Sequence, residues 1–197
     1  MELVFATHNQ NKLKEIQKLV PEGIKLLSLY DIGCHEDIPE TATNLAGNAK
    51  IKADYVTRKY QLPCFADDTG LLVNVLNGEP GVYSARYAGE KNDANANMDK
   101  LLDKLSLYAD RTACFNTIIA LNLNGIDETT FFSGAVKGQI IREKRGNLGF
   151  GYDPIFVPDG HEETFAELSI EIKNNISHRG KAFMKLIDHL KSIHTKE

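Results

Sequence analysis

The chain has 197 residues, of which 42% are hydrophobic and 25% charged, the proportions of an ordinary globular protein, so wholesale disorder is excluded. Its 23 basic and 27 acidic side chains leave a net charge of −4 with neutral histidines, which disfavours a protein that works by wrapping nucleic acid. The length suits one domain, at most one with two lobes, and is read as a single domain over residues 1–197.

In chain order, residues 3–6 read as a short buried strand. Glu2 and a four-residue apolar run fail as a signal peptide, and no stretch approaches the ~18 apolar residues that span a bilayer. Polar residues 7–11 follow, then a helix with Leu13, Ile16, Leu19 and Val20 on one face, stopped by Pro21. Residues 25–30 read as a second strand and residues 35–43 as an acidic loop containing Pro39. A long helix is predicted over residues 44–60, with Pro63 ending the pattern. Apolar segments at 64–66 and 71–76 then flank the polar run Asp67-Asp68-Thr69-Gly70. Residues 92–105 carry Met98, Leu101, Leu102 and Leu105 at helical spacing. Two β-rich segments, 112–123 and 129–136, flank Asn124-Gly125 and read as an antiparallel hairpin. Residues 146–158 form a Gly/Pro-punctuated loop, and a last helix over 180–193 presents Ala182, Phe183, Leu186, Ile187, Leu190 and Ile193. This order predicts an α/β fold with a mixed sheet. Cys34, Cys64 and Cys114 form no CxxC pair and read as reduced structural thiols of a cytoplasmic protein.

Four segments could carry chemistry. Thr7-His8-Asn9-Gln10-Asn11-Lys12 joins a strand to a helix start, where free N–H groups and the positive end of the helix dipole attract anions and Lys12 adds a full charge. The same turn could equally be an ordinary cap by Thr7 or Asn9. Lys52 falls inside the apolar arc of Leu45, Ala49, Ala53 and Val56 rather than opposite it. An inward ammonium needs a partner or an anionic ligand, unless it snorkels to water. Asp67-Asp68 could hold a hard cation such as Mg²⁺, with Glu40 of the acidic loop as a second carboxylate. Because neighbours on a strand point to opposite faces, one of the two aspartates should face the site. The alternative there is a solvated Asp-Thr-Gly turn. Gly149-Phe150-Gly151-Tyr152-Asp153 offers glycines for close backbone approach, two aromatic faces for stacking and a carboxylate for a base edge. Lys173 and Ser177-His178-Arg179-Gly180 add donors just before the last helix.

Other catalytic patterns are missing. His161-Glu162-Glu163-Thr164-Phe165 begins like a zinc HExxH motif but ends in Phe, and there is no Walker loop, GxGxxG fingerprint or GxSxG elbow.

Taken in order, the segments ATHNQNK (residues 6–12), ET (40–41), NAKIKA (48–53), ADDTGL (66–71), PGVYSARYAG (80–89), GFGYDPIF (149–156), FAEL (165–168) and K-x-x-x-SHRGKA (173–182) resemble the inosine triphosphate pyrophosphatase family, also called Ham1-like. The match spans nearly the whole chain. Thr69 stands where serine is common, Ala42 where glycine is frequent, and Gly47 where Glu often precedes Asn-Ala. The resemblance implies an elongated mixed sheet flanked by helices, with two lobes about an active-site cleft, usually in a homodimer. It implies Mg²⁺-dependent cleavage of ITP, dITP and XTP to the monophosphate and pyrophosphate, a cleansing of deaminated purines from the nucleotide pool. On that pattern Asp68 would orient or deprotonate water and contact Mg²⁺, supported by Glu40 and Asp67. The 7–12 segment (Thr7, His8, Asn9, Gln10, Asn11, Lys12) and Lys52 would cradle the triphosphate, and Thr69 its local oxygen network. Phe150, with Gly151 and Tyr152 beside it, would stack on the base. Lys173, His178 and Arg179 would reach its 6-oxo edge, with Asp153 as the pocket wall.

Three competing classes remain distinguishable. A pyrophosphatase of modified pyrimidine nucleotides, as in Maf-like proteins, would lack the SHR and FGYD motifs. A non-catalytic nucleotide sensor would lack the carboxylates or lysines, yet Asp68, Glu40, Lys12 and Lys52 are all present. A nucleic-acid binder would carry the opposite net charge.

Overall fold

The computed structural model describes residues 1–89, 92–123 and 126–194. Its elements are β1 (Glu2–Phe5), α1 (Gln10–Gln17), β2 (Lys25–Ser28), α2 (Leu45–Tyr60), β3 (Cys64–Val73), β4 (Pro80–Gly81), α3 (Ala94–Lys104), β5 (Thr112–Asn122), β6 (Thr130–Ile140), β7 (Phe156–Pro158), α4 (Ile170–Ile176) and α5 (His178–His194). Among the described residues the strands form one sheet of order β2-β1-β3-β5-β6-β7, with β4 added to β3. It is mixed: β1 runs parallel to β2 and β3, whereas β3–β4 and β6–β7 are antiparallel.

The chain folds as two compact units. The first comprises Met1–Asp68, Thr117–Gly134 and Arg179–Glu197, and the second Thr69–Asn116 and Ala135–His178, so the boundary falls inside β3, β5 and β6. In the first unit, β1 is apolar at three successive positions because it lies between two strands and is covered on both faces. The pleat divides those residues. Leu3, Phe5 and Phe65 pack against α5 through Ala182, Phe183, Leu186, Ile187 and Leu190. Val4, Ala6, Cys64 and Ala66 pack against Ala49, Ala53 and Val56 of α2. Alanines at the α2 contact leave that helix close to the sheet, which sets how far its polar side chains can reach.

The second unit's core gathers Met98 and Leu101 of α3 with Phe115, Phe156 and Phe165. The Phe115 and Phe156 rings meet edge-on with centroids 4.7 Å apart. Gly138 on β6 lies opposite Pro158 and leaves room for the Phe156 ring.

Several boundaries differ from the sequence expectation. Helix α1 stops at Gln17, so Leu19 and Val20 follow it rather than belong to it. Strand β2 ends at Ser28, whose N–H and hydroxyl both donate to Asp31. The polar run 67–70 is no turn: β3 passes straight through it as a single strand. Strand β6 extends to Ile140, residues 146–158 contain a 3₁₀ turn (Asp153–Ile155) and β7, and α4 is an additional helix capped by Ser169. Helix α5 begins at His178, which places His178 and Arg179 in its first turn. Strands β5 and β6 are neighbours, and a connection as short as residues 123–129 permits only a hairpin. Its predicted turn, Asn124-Gly125, lies outside the described residues. No helix among the described residues is long and apolar enough to cross a membrane.

A Cβ at Gly138 would lie 2.2 Å from the Val157 carbonyl oxygen and 2.7 Å from Phe156 Cζ. Gly138→Ala is therefore expected to cost at least about 1–3 kcal/mol of stability, read as a lower urea midpoint. A wild-type midpoint would contradict this packing.

Candidate active site

The pleat that sorts the core also sorts the two carboxylates at the end of the first unit's β3 segment. Cys64 and Ala66 face α2, so Asp68 does too, while Asp67 follows Phe65 to the face covered by α5. The contacts agree. Asp67 Oδ1 accepts from Lys12 Nζ at 2.9 Å, and its Oδ2 accepts from Arg179 Nε at 3.2 Å. Arg179 also donates to Glu15 Oε2 at 2.5 Å. Asp68 Oδ2 instead accepts from Asn48 Nδ2 of α2 at 3.0 Å. Lys52, one turn further along α2, donates to Glu40 Oε1 at 2.5 Å and to the Asp67 carbonyl at 2.7 Å. The lysine inside the apolar arc is thus buried and partnered rather than snorkelling.

Environment divides the aspartates electrostatically. Burial alone would raise the Asp67 carboxyl, but Lys12, Arg179 and Lys52 hold it well below the usual carboxylate range. At Asp68 burial dominates: with the negative charge of Glu40 adding to it, the carboxyl is raised despite Lys52, Lys12 and the Asn48 hydrogen bond. Burial pushes the Lys12 ammonium down against the pull of Asp67. Burial also opposes the charge of Lys52, yet Glu40, Asp68 and Asp67 hold its pKa above the ordinary lysine value. Asp67 is a structural anion, while Asp68 is a carboxylate whose charge is poorly compensated by the protein.

That imbalance bears on a cation. Asp68 and Glu40 repel each other and present only hard oxygen donors, which is the donor chemistry of Mg²⁺. No group of three or more His, Cys, Asp or Glu side chains that could hold a metal occurs among the described residues. The pair fits an ion that takes its remaining ligands from water and phosphate oxygens.

At the β1–α1 junction, Asn9 caps α1 by accepting from the N–H groups of Asn11 and Lys12, and Thr7 Oγ1 accepts from Asn9 N–H. Gln10 and Asn11 are exposed. His8 places Nε2 3.1 Å from the Glu36 carbonyl, with its ring edge-on to Tyr30.

The second unit holds the other cluster. Asp153 Oδ2 accepts from Phe150 N–H and from Lys173 Nζ, both at 2.7 Å. The Lys173 ammonium lies 5.0 Å from the Phe150 ring centroid and 5.5 Å from that of Phe165. It is carried by α4, the helix that hydrophobic spacing did not show. The His178 ring stacks on Phe115 with centroids 4.5 Å apart. Gly151 has a positive φ with open space where a Cβ would point, and Thr69 is half-buried at the start of this unit. Gly149 also has a positive φ, and a Cβ there would lie 2.1 Å from Asp153 Oδ2. Only glycine lets that carboxylate close onto the Phe150 N–H.

Arg179, a buried guanidinium that needs buried carboxylates, finds them in Glu15 and Asp67 of the first unit. One expectation needs correction. Tyr152 offers no stacking face, because its ring lies in the core and its hydroxyl donates to the Ser84 carbonyl at 2.8 Å. The sequence reading gives no role to Glu15 or Asn48. The helical arc that exposed Lys52 also contains Asn48, whereas nothing local in sequence marks Glu15 as the partner of a residue 164 positions away.

A sequence model described as the Ham1 family matches residues 3–189. The chain belongs to the Ham1 family. A relative from Flavobacterium psychrophilum named dITP/XTP pyrophosphatase is 60% identical over 98% of this chain and 100% of its own. Solved Ham1 proteins from Staphylococcus aureus and Coxiella burnetii superpose with TM-scores of 0.87 and 0.89, at 40% and 39% identity. Each comparison covers 98% of this chain and 99% of the other. The mixed sheet flanked by helices is therefore the Ham1 architecture.

Asp67→Asn would leave Lys12 and Arg179 beside a neutral amide. Breaking a buried pair in this way costs about 3–5 kcal/mol, so the variant should unfold at clearly lower urea concentration. An unchanged midpoint would contradict the structural role of Asp67.

Proposed function

We propose that this chain is a Mg²⁺-dependent hydrolase of deaminated purine nucleoside triphosphates, ITP, dITP and XTP, releasing the monophosphate and pyrophosphate. The observation that carries the reading is Asp68: a buried, under-compensated carboxylate beside Glu40 and the ammonium groups of Lys12 and Lys52, in a chain whose relatives are named dITP/XTP pyrophosphatases. Such a group can orient a water molecule and accept its proton.

Asp68 and Glu40 would hold Mg²⁺, which when bound neutralises phosphate oxygens and lowers the pKa of a water. Lys12 and Lys52 bind the triphosphate oxygens; both are preorganised by Asp67, through its carboxylate and its carbonyl respectively. Phosphoryl transfer demands mainly such positioning and charge stabilisation. Arg179 supports this side by fixing Asp67. Phe150 stacks on the purine, and the backbone that carries its ring is held by the hydrogen bond from its own N–H to Asp153. Lys173 and His178 offer donors to a 6-oxo group. A 6-amino group would confront them with further donors and leave buried groups unpaired, which is a strong basis for rejecting ATP.

Pyrophosphate release should be fast from ITP and XTP and slow from ATP, should vanish with EDTA, and should fall about 10²–10⁴-fold in Asp68→Asn if that carboxylate acts as the base. Orthophosphate as the product, or equal rates with ATP, would overturn the reading. Gly149→Ala should raise KM for ITP more than it lowers kcat, since it disturbs the base contacts and not the reacting phosphates. A loss confined to kcat would contradict the assignment of that cluster to the base.

A further inference from the structure

Asn48 is fully buried in the first turns of α2, with no solvent exposure. Asparagine is a mediocre helix former, and a buried amide must satisfy both its oxygen and its NH₂ group. Its two polar ends go to two different segments. Oδ1 accepts from the Ala42 N–H at 2.9 Å, and Nδ2 donates to Asp68 Oδ2 at 3.0 Å. The orientation of the amide is fixed by chemistry: a backbone N–H can only donate, so the oxygen must face Ala42 and the NH₂ must face the carboxylate.

Ala42 is two residues beyond Glu40, and Lys52, one helical turn after Asn48, grips Glu40 itself. One face of α2 therefore holds both carboxylates that the proposed function assigns to the metal. Asn48 fixes Asp68 directly and anchors the loop that carries Glu40, while Lys52 fixes the Glu40 side chain. A carboxylate turns easily about its last torsion, so a hydrogen bond to one oxygen decides where the other points.

We propose that Asn48 is a positioning residue that orients the Asp68 carboxylate and registers the Glu40 loop against it, so that the oxygen pair is set before ion and nucleotide arrive. The inference rests on the proposed role of Asp68 and adds a residue that touches neither substrate nor metal. Partners of metal-ligating carboxylates typically account for 10–100-fold in affinity or activity, and small displacements of a reacting group have effects of that order.

Two variants separate the bonds. Asn48→Asp keeps an oxygen for the Ala42 N–H and replaces the neutral amide donor facing Asp68 by a second carboxyl, which repels Asp68 or shares a proton with it. Asn48→Leu has a similar shape and removes both bonds. Four quantities would be measured beside wild type: the unfolding midpoint, kcat and KM for ITP at saturating Mg²⁺, and binding of Mn²⁺ alone to substrate-free protein by electron paramagnetic resonance. For both variants kcat should fall about 10–100-fold with KM for ITP changed less than about twofold. Mn²⁺ should bind Asn48→Leu about tenfold more weakly. Folded variants with wild-type kcat and wild-type Mn²⁺ binding, altered only in unfolding midpoint, would overturn the proposal and leave Asn48 a purely structural tie. Should Asn48→Leu fail to fold, the kcat of Asn48→Asp decides, because its loop anchor is intact. A wild-type protein inactive on ITP would count against the proposed function instead, and the Mn²⁺ comparison would still read the positioning role.

Discussion

The alternation of side chains along β3 is the constraint on which the rest of the site depends. Two aspartates adjacent in sequence cannot share a face of an extended strand, so the pleat sends Asp67 towards α1 and α5 and Asp68 towards α2. One carboxylate becomes the anchor of a buried charge network, and at the other burial and the charge of Glu40 outweigh Lys52, Lys12 and the Asn48 amide. The same residue type meets two environments because the backbone aims it in two directions.

The anchor has consequences beyond its own position. Lys12, Lys52 and Arg179 are all buried or nearly so, and each would be costly to desolvate alone. Glu15, Asp67 and Glu40 make their burial tolerable, with Asp67 serving Lys12 and Arg179 through its side chain and Lys52 through its carbonyl. The result is a pair of ammonium groups held in place by the protein; in the proposed function this spares a polyphosphate ligand the entropy of ordering them. In the second unit Asp153 plays the corresponding part, gathering the Phe150 backbone and the Lys173 ammonium on one oxygen.

Much of this was legible in the sequence, and for identifiable reasons. Lys52 stood out because a charged residue within an apolar arc must find a partner, and the pleat argument for Asp67 and Asp68 needed only that they lie on a strand. What stayed hidden was long-range. A solvated turn was the alternative for the run 67–70 because its composition is polar, yet Asp67 and Asp68 find partners on α1, α2 and α5, and the strand continues. The partners of Arg179, Asp67 and Glu15, lie 112 and 164 positions away in sequence, which no local pattern shows. Helix α4 is short and has no strong apolar spacing, so Lys173 was found through a motif rather than through its helix. Resemblance to the Ham1 family supplied the substrate class; spacing alone supplied an anion site, a carboxylate pair and an aromatic loop.

The claim that the pleat separates a structural aspartate from a chemical one is tested most directly by following the side-chain carboxyl carbons of Asp67 and Asp68 by NMR as metal-free protein is acidified. Asp68 should take up its proton first, above the ordinary aspartate value of about 3.9, while the Asp67 signal stays that of a carboxylate well below that pH. Titration in the reverse order, or of both groups together near the ordinary value, would contradict the division of roles.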